Sequence, residues 1–240
     1  MAKKKKKGGD GGGLPGWFAT FSDMMTLLFA FFVLMFSLST IDPVKVAAFS
    51  EGKKGGDAKP DPTVKEKLDL AEIKDEFKKM IEDLGMDSTA TVSQDPRGIA
   101  LEIDGDICFE SSQVEIKPQL YSVLDRAIED ILTAENDIRP IIVEGHTDSD
   151  QMRGKMAELY PTNWELSSGR AAEVVKYLIS KGVNSTRLSP TGYADRWPFG
   201  ITWTQKRSGD INQELIDAMN ATKDLKRKNR RIKIIIGPNY

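Results

Sequence analysis

The 240-residue chain contains a single cysteine, Cys108, and a single histidine, His146. One cysteine cannot form a disulfide within the chain, and these two residues cannot supply a cysteine- or histidine-rich metal site. The 34 basic and 36 acidic residues nearly cancel, so the chain lacks the excess positive charge that binds nucleic acid. The composition therefore excludes most zinc proteins and general nucleic-acid binders, and we expect no bound cofactor.

Charge is scarcest between Trp17 and Ile41, where Asp23 is the only ionisable residue. A helix of about 25 residues is roughly 37 Å long, which is enough to cross a hydrocarbon core of ~30 Å. Lys3–Lys7 precede this run, and a secretory signal peptide would show the same order of charge and apolar residues. The length and the internal acid favour a membrane-spanning helix instead. The positive-inside rule then places the lysines in the cytoplasm.

The rest of the chain would lie outside the cytoplasmic membrane, which in a Gram-negative cell is the periplasm. We predict four regions, which are a basic N-terminus (1–15), a transmembrane helix (16–41), a plug and linker (42–66) and a folded domain (67–240). Gly, Pro and charged residues dominate the linker. Before it, Ile41, Val44, Ala48 and Phe49 recur at near-helical spacing and predict a short amphipathic segment.

Hydrophobic periodicity in the folded domain alternates between strands and helices. We predict an N-terminal helix ending at Gly85, a hairpin turning near residues 95–98, and helices from Pro118 and over residues 163–182. Strands follow from "IRPIIVEGH", "RLSPTGYA" and "RRIKIII", and a peripheral helix from residues 209–224. This order predicts an α+β fold in which one mixed sheet is covered on one face by helices.

Asp23 needs an explanation, because a charge inside a membrane helix costs about 3 kcal/mol on insertion scales. Thr20 and Thr26 lie three residues before and after it, so both hydroxyls share its side of the helix. A protein-lined cavity of this kind could hold a cation, but partner helices would have to close it. The alternative is an acid at the membrane edge, since Asp23 lies only about 9 Å beyond Trp17 along the helix.

In the folded domain, Asp148 of "GHTDSD" and Arg170 of "NWELSSGRA" suit a zwitterionic ligand. A carboxylate accepts hydrogen bonds from an ammonium group, while a guanidinium binds a carboxylate through two hydrogen bonds. The alternatives are a turn or helix cap for Asp148 and a surface position for Arg170. No nucleophile elbow or metal-ligand spacing accompanies His146 and Asp148, so the sequence does not favour an enzyme.

The segment "PGWFATFSDMMTLLFAFFVLMFSLS" resembles the membrane helix of flagellar stator B subunits of the MotB and PomB type. Residues 98–236 resemble the OmpA-like peptidoglycan-binding domain through "GHTD", "NWELSSGRA", "GYAD" and "NRRIKI". The stator resemblance implies a homodimer that works with an A subunit of the MotA or PomA type. It also implies an ion-carrying role for Asp23 and a plug at Ile41, Val44, Ala48 and Phe49.

The OmpA-like resemblance implies that Asp148 and Arg170 hold the diaminopimelate of the peptidoglycan peptide stem. Thr147 and Asn163 stand at neighbouring positions of the motifs and are further candidates. The wording "TFSDMMTLL" is closer to sodium-type than to proton-type stators, so we expect transported Na⁺ rather than H⁺. The sequence leaves two other functions open, a passive tether between membrane and wall and a stator-like motor that drives a machine other than a flagellum.

Overall fold

The computed structural model describes residues 15–38, 68–133, 137–154 and 156–238. The chain divides into two units, Met1–Ile41 and Asp42–Tyr240. The plug residues Ile41, Val44, Ala48 and Phe49 and the linker lie outside the described residues, so those predictions stay predictions.

The first unit contains one helix, α1 (Gly16–Leu38), which is long and apolar enough to cross a membrane. Its large side chains pack against nothing else in the described part of the unit, and Phe29 and Phe36 are 70% and 76% exposed. A helix that is apolar on all sides is stable only in lipid or among other helices.

The second unit contains a five-stranded sheet in the order β1-β2-β5-β3-β4. The strands are β1 (Ala90–Asp95), β2 (Gly98–Asp104), β3 (Ile141–His146), β4 (Leu188–Gly192) and β5 (Arg231–Ile236). Only the β3–β4 pair is parallel, whereas β1–β2, β2–β5 and β5–β3 are antiparallel. The predicted hairpin is confirmed, with Asp95 paired to Gly98 at its turn.

Three longer helices pack near the sheet. They are α2 (Leu70–Asp83), α4 (Pro118–Ala127), which continues as a π-helical turn (Ile128–Leu132), and α6 (Asn163–Ser180). The side chain of Asp69 caps α2, and Gly85 ends it with a positive φ of 64°. The buried face of α2, from Leu70 to Ile81, joins the core with the inward residues of β2 and β5. The predicted α+β fold is confirmed.

The remaining elements are short. They are α3 (Gly105–Cys108), α5 (Met156–Leu159), a 3₁₀ turn (Ser185–Arg187), α7 (Trp203–Ser208), α8 (Gln213–Ala218) and α9 (Lys223–Asn229). The prediction of one helix over residues 209–224 is wrong, because α8 ends in a turn where Asn220 donates a side-chain hydrogen bond to the carbonyl of Ile216. Thr222 then caps a new helix through the amide of Leu225.

Candidate functional site

The site lies at the carboxyl end of β3, where the backbone of α6 comes unusually close to the sheet. A Cβ atom on Gly145 would lie 2.1 Å from the carbonyl oxygen of Ser167, and one on Gly192 would lie 2.2 Å from Oγ of Ser168. Only glycine permits this approach. The two glycines therefore let the first half of α6 lie against the ends of β3 and β4, next to the loop that begins at Thr147.

Asn163, the first residue of α6, holds that loop in place. Its side-chain amide donates hydrogen bonds to the backbone oxygens of Asp148 and Asp150, both at 3.0 Å. The amide of Ser149 donates to Oδ1 of Asn220 at 3.1 Å, which fixes the loop from its other side. In this structure Asn163 thus shapes the binding loop through its backbone.

All four residues that the sequence predicted here line one cavity of about 430 Å³. The loop after β3 contributes Thr147 and Asp148, and the first residue of α6 is Asn163. Arg170 lies about two helical turns beyond Asn163 on the same helix. The cavity is also lined by residues that the sequence analysis did not single out, among them Asp106, Phe109, Glu110, Lys117 and Arg230.

Arg170 is buried, with its guanidinium held against the segment that follows α3. Its Nε donates to the carbonyl of Gln113 at 2.8 Å and its Nη2 to the carbonyl of Glu110 at 3.3 Å. The ring of Phe109 lies 4.9 Å from the guanidinium carbon. Burial lowers the pKa of Arg170 to about 10, so the group stays charged at neutral pH. Among the described residues no carboxylate lies within ion-pair distance of it, which leaves its charge available to a ligand.

Asp148 is held by a second arginine. Its Oδ1 accepts a hydrogen bond from the amide of Asp150 at 3.0 Å, and its Oδ2 accepts one from Nη1 of Arg230 at 2.6 Å. Arg230 also makes two 2.8 Å hydrogen bonds to Asp106. The hydrogen bonds to Asp106, with that to Asp148, raise the pKa of Arg230 above its usual value. A ligand ammonium that binds Asp148 must share this carboxylate with Arg230.

Sequence reasoning missed Arg230, although it lies in the motif "NRRIKI". The motif gave a signal for a strand, because Arg231 and the isoleucines that follow it form β5. Nothing in the spacing shows that the residue just before β5 reaches the loop after β3. That contact depends on β5 pairing antiparallel to β3, with Arg231 opposite His146.

Thr147 is buried at the inner end of the cavity. Its amide donates to the carbonyl of Ala194 at 2.9 Å. Its Oγ1 has no hydrogen-bond partner within the described ranges. A buried hydroxyl without a partner is costly, and a ligand group reaching the cavity can satisfy it.

Two other side chains that could be chemically reactive, those of His146 and Cys108, are both in their neutral form at pH 7. Burial and the nearby Arg231 lower the pKa of His146 to about 3, so the ring is neutral at pH 7. Burial raises the pKa of the Cys108 thiol far above neutral pH, so it is protonated. In the part of the chain that the structure describes, no three His, Cys, Asp or Glu residues are grouped to hold a metal ion. Asp148 and Arg170 both line the cavity, so it is suited to binding a ligand with groups of both charges.

Asp23 lies in the other unit, between the two predicted threonines. Oγ1 of Thr20 donates to the carbonyl of Trp17 and Oγ1 of Thr26 donates to that of Ser22, both at 2.8 Å. Because each hydroxyl proton points back along the helix, the oxygen lone pairs remain available. α1 contains no lysine or arginine, so no cation of the same helix compensates Asp23.

Two family models match the chain. The first, described as membrane MotB of the proton-channel complex MotA/MotB, matches residues 2–52. The second, described as the OmpA family, matches residues 108–214. The first match covers the N-terminal apolar helix, and the second covers Asp148 and Arg170.

Similar proteins span nearly the whole chain. The uncharacterized protein YtxE of Bacillus subtilis (strain 168) is 32% identical over 235 residues, which are 92% of this chain and 87% of YtxE. Motility protein B of the same organism is 26% identical over 272 residues, with 98% of this chain and 95% of that protein covered.

Two solved structures share the fold of the second unit. A MotB-like protein from Desulfovibrio vulgaris superposes with a TM-score of 0.54 at 20% identity, over 71% of this chain and 94% of that one. The cell wall anchor of the T6SS from Pseudomonas aeruginosa gives a TM-score of 0.52 at 21% identity, over 68% and 97%. At these identities the likeness shows the fold alone.

The apolar helix with its acid agrees with the MotB model that matches it. The sheet, with its cavity that carries groups of both charges, agrees with the OmpA model. The matched families are structural anchors and not enzymes. The chain belongs to the MotB family, as a MotB-like protein whose C-terminal unit is an OmpA-like domain.

Proposed function

We propose that this protein is the wall-anchored B subunit of an ion-driven flagellar stator. α1 crosses the inner membrane once with the N-terminal lysines in the cytoplasm, and the OmpA-like domain lies in the periplasm. The observation that carries the proposal is the presence on one chain of an acid in an apolar helix and a cavity that contains Asp148 and Arg170. A motor that generates torque needs both an ion carrier and an anchor.

The anchor binds the diaminopimelate of the peptidoglycan peptide stem. A carboxylate of this residue pairs with Arg170, whose charge is not compensated by a described carboxylate, and its ammonium group pairs with Asp148. Bidentate and charge-assisted hydrogen bonds of this kind are among the strongest that side chains make. Thr147 supplies a further hydrogen bond from the buried end of the cavity, and Asn163 keeps the loop in shape.

The ion carrier is Asp23, and the coupling ion is sodium. A proton requires only the carboxylate, whereas sodium must exchange its hydration shell for several oxygen ligands. The hydroxyl oxygens of Thr20 and Thr26 can contribute, because their protons are engaged by backbone carbonyls of the same helix. One charge crossing 100 mV releases about 2.3 kcal/mol.

The partners in the membrane are an A subunit of the MotA or PomA type and a second copy of this chain. α1 cannot enclose an ion pathway alone, and its exposed apolar surface offers every side to other helices. Ile41, Val44, Ala48 and Phe49 form a plug that keeps unassembled complexes closed.

Sedimentation with purified peptidoglycan sacculi tests the anchor. The detergent-solubilised full chain should bind, and Arg170→Ala should weaken binding by about 2–5 kcal/mol, since it leaves the ligand carboxylate buried without its partner. Arg126→Ala is the matched control, because that side chain is 42% exposed and does not line the cavity. Unchanged binding by a folded Arg170→Ala variant would place the ligand elsewhere.

Swimming speed tests the ion. In cells that depend on this stator, speed should follow external sodium and survive a protonophore as long as the sodium gradient is maintained. The family model that matches residues 2–52 is described as that of a proton-channel complex, so a dependence on protons would be equally informative. Speed that is independent of sodium and collapses with a protonophore would assign the proton.

A passive tether is the second candidate, supported by the occurrence of the same fold in the cell wall anchor of the T6SS. A stator that drives another machine is the third. Asp23 distinguishes the tether from both motors, because a tether does not need a residue that gains and loses charge.

A further inference from the structure

The sheet has a second face, turned away from α2 and α6, which carries charged side chains beside the apolar Ala100, Ile142 and Ile235. Asp95 of β1, Glu102 of β2, Glu144 of β3 and Lys233 of β5 point to this back face, because residues alternate across a strand. Trp197, Phe199 and Trp203 stand over it, and together these residues line a cavity of about 390 Å³. This volume lies within the range of ordinary ligand sites.

The charges of the back face are fixed in pairs. Arg97 makes two hydrogen bonds to Asp95, at 2.8 and 2.9 Å, and one to Glu144 at 2.5 Å. Lys233 pairs with Asp95 at 2.8 Å, and Arg231 pairs with Glu102 at 3.1 Å. Each of these three carboxylates thus has a cationic partner, and the ammonium of Lys206 lies over the neighbouring aromatic rings as a further cation. The cavity offers oriented donors and acceptors without demanding a charged ligand.

The aromatic residues differ in what covers them. Trp197 is only 4% exposed and donates through Nε1 to the carbonyl of Ile201, and the ammonium of Lys206 lies 3.9 Å from its ring. Phe199 is 36% exposed. Trp203 is partly exposed, with the guanidinium of Arg97 4.7 Å from the centre of its ring and Trp197 packed against it. Trp197 therefore supports the site, while Phe199 and Trp203 present ring surface to a ligand.

The cavity continues past Phe199. A smaller cavity of about 130 Å³ is lined by the same Phe199, Glu102 and Arg231, together with Arg227 and Lys228. The two cavities share the side chains of Phe199, Glu102 and Arg231, and we call the pair the back-face groove. A groove that is longer than one site suits a chain-like ligand.

One acceptor in the groove has no partner. Oε2 of the fully buried Glu144 makes no hydrogen bond to any described residue, and its nearest ring nitrogen, Nε2 of His146, is 3.5 Å away. Good N–H···O hydrogen bonds are about 2.7–3.2 Å long. This oxygen is itself buried and faces His146, so the carboxylate that the groove offers to a ligand is Glu102, whose side chain is 17% exposed.

We propose that this back-face groove binds the glycan strand of peptidoglycan, that is, a neutral chain of N-acetylated sugars. The C–H faces of sugar rings pack on aromatic rings such as Phe199 and Trp203, and their hydroxyl and amide groups hydrogen-bond to paired side chains such as Glu102 and Arg231. The proposal rests on the proposed wall-anchoring function. It assigns the glycan to one cavity and the peptide stem to another.

Binding of the N-acetylglucosamine tetramer to the detergent-solubilised full chain tests this groove. The expected result is saturable binding by titration calorimetry, which Phe199→Ala and Trp203→Ala each weaken by at least about tenfold, equivalent to about 1.4 kcal/mol. Trp164→Ala is the matched control, because this tryptophan is 48% exposed and lines neither cavity of the groove. Phe199→Leu keeps an apolar side chain without an aromatic ring, so it separates stacking from folding.

The two sites fail independently. Arg170→Ala should weaken binding of the peptide stem and leave tetramer binding unchanged, whereas Phe199→Ala should weaken tetramer binding and leave binding of the peptide stem unchanged. Absence of tetramer binding to the wild-type chain at millimolar concentration would overturn the glycan assignment, as would binding that ignores both groove substitutions. Loss of self-association in Phe199→Ala, with tetramer binding unaffected, would assign the groove to protein contact and equally overturn it.

Discussion

Asp23 in α1 and Asp148 in the OmpA-like domain are both carboxylates to which we assign a positively charged ligand, but their surroundings differ. Asp148 accepts hydrogen bonds from the amide of Asp150 and from Arg230, and its loop is tied by Asn163. α1 offers Asp23 two threonine hydroxyls and no cation. On these assignments the domain completes its site within one chain, whereas α1 would have to obtain the rest of its site from other helices.

The largest effect is expected for Asp23→Asn. The amide cannot gain and lose a charge, so motility should be abolished while the protein remains inserted and bound to the wall. Swimming in soft agar measures the first, and sedimentation with sacculi measures the second. Asp75→Asn provides the same substitution at an acid of α2 that is 78% exposed and does not line the cavity, and it should leave the cells motile. Near-normal swimming of the Asp23→Asn strain would break the comparison and support a passive tether.

A smaller effect is expected where the domain organises its own site. Gly145→Ala places a Cβ atom 2.1 Å from the carbonyl oxygen of Ser167, and overpacking of this kind costs about 1–3 kcal/mol. The denaturant midpoint of the domain should fall, and sacculus binding should fall with it because α6 shifts relative to Asp148.

Gly169→Ala on the same helix is the control for that substitution. Its Cβ would meet the ring edge of Tyr160 at 3.0 Å, which is a side chain that can move. Alanine also has a higher helix propensity than glycine, by up to about 1 kcal/mol. Equal destabilisation by the two variants would mean that the approach of α6 to β3 does not set the site.

The smallest effect concerns pH. The pKa of His146 is lowered from its ordinary value of 6.5 to about 3 by burial and the nearby Arg231. Between these values the unfolded chain binds a proton that the folded chain does not, so stability rises with pH and is lost as the pH falls. The slope from this residue is at most about 1.4 kcal/mol per pH unit.

His146→Phe should remove that slope. Both ring nitrogens lack a hydrogen-bond partner among the described residues, and the ring stacks on Tyr193 at 5.4 Å. An apolar ring of similar shape should therefore keep stability at pH 7. Denaturant unfolding of the full chain in detergent, followed by tryptophan fluorescence from pH 4.5 to 7, makes the measurement, and an unchanged slope in the variant would show that His146 is not its source. The range ends at pH 4.5 because Glu144 titrates below it. Burial tends to raise the pKa of Glu144, but His146 and Arg97 lower it to about 2, so the stability that Glu144 contributes is lost below about pH 4.

Much of the fold could be predicted because its signals are local. The apolar stripes of α2 and α6 and the apolar run of β5 each indicate one element without knowledge of the others. The segment between Trp197 and β5 could not be predicted in this way. Its helices are six or seven residues long, which is too short for a hydrophobic period to become visible.

The sequence by itself determined the apolar helix with its single acid and most of the order of helices and strands, since these depend on composition and on spacing along the chain. Its resemblance to OmpA-like domains pointed to four residues of the cavity. Only the tertiary structure decided that Arg230 shares Asp148, that Gly145 brings α6 onto β3, and that the carboxylates of the back face are paired with cations beneath Trp197 and Trp203. These features join residues that are distant in sequence, such as Asp148 with Arg230 and Arg97 with Glu144. Their proximity is set by the pairing of β5 with β3 and β2, which no spacing along the chain encodes.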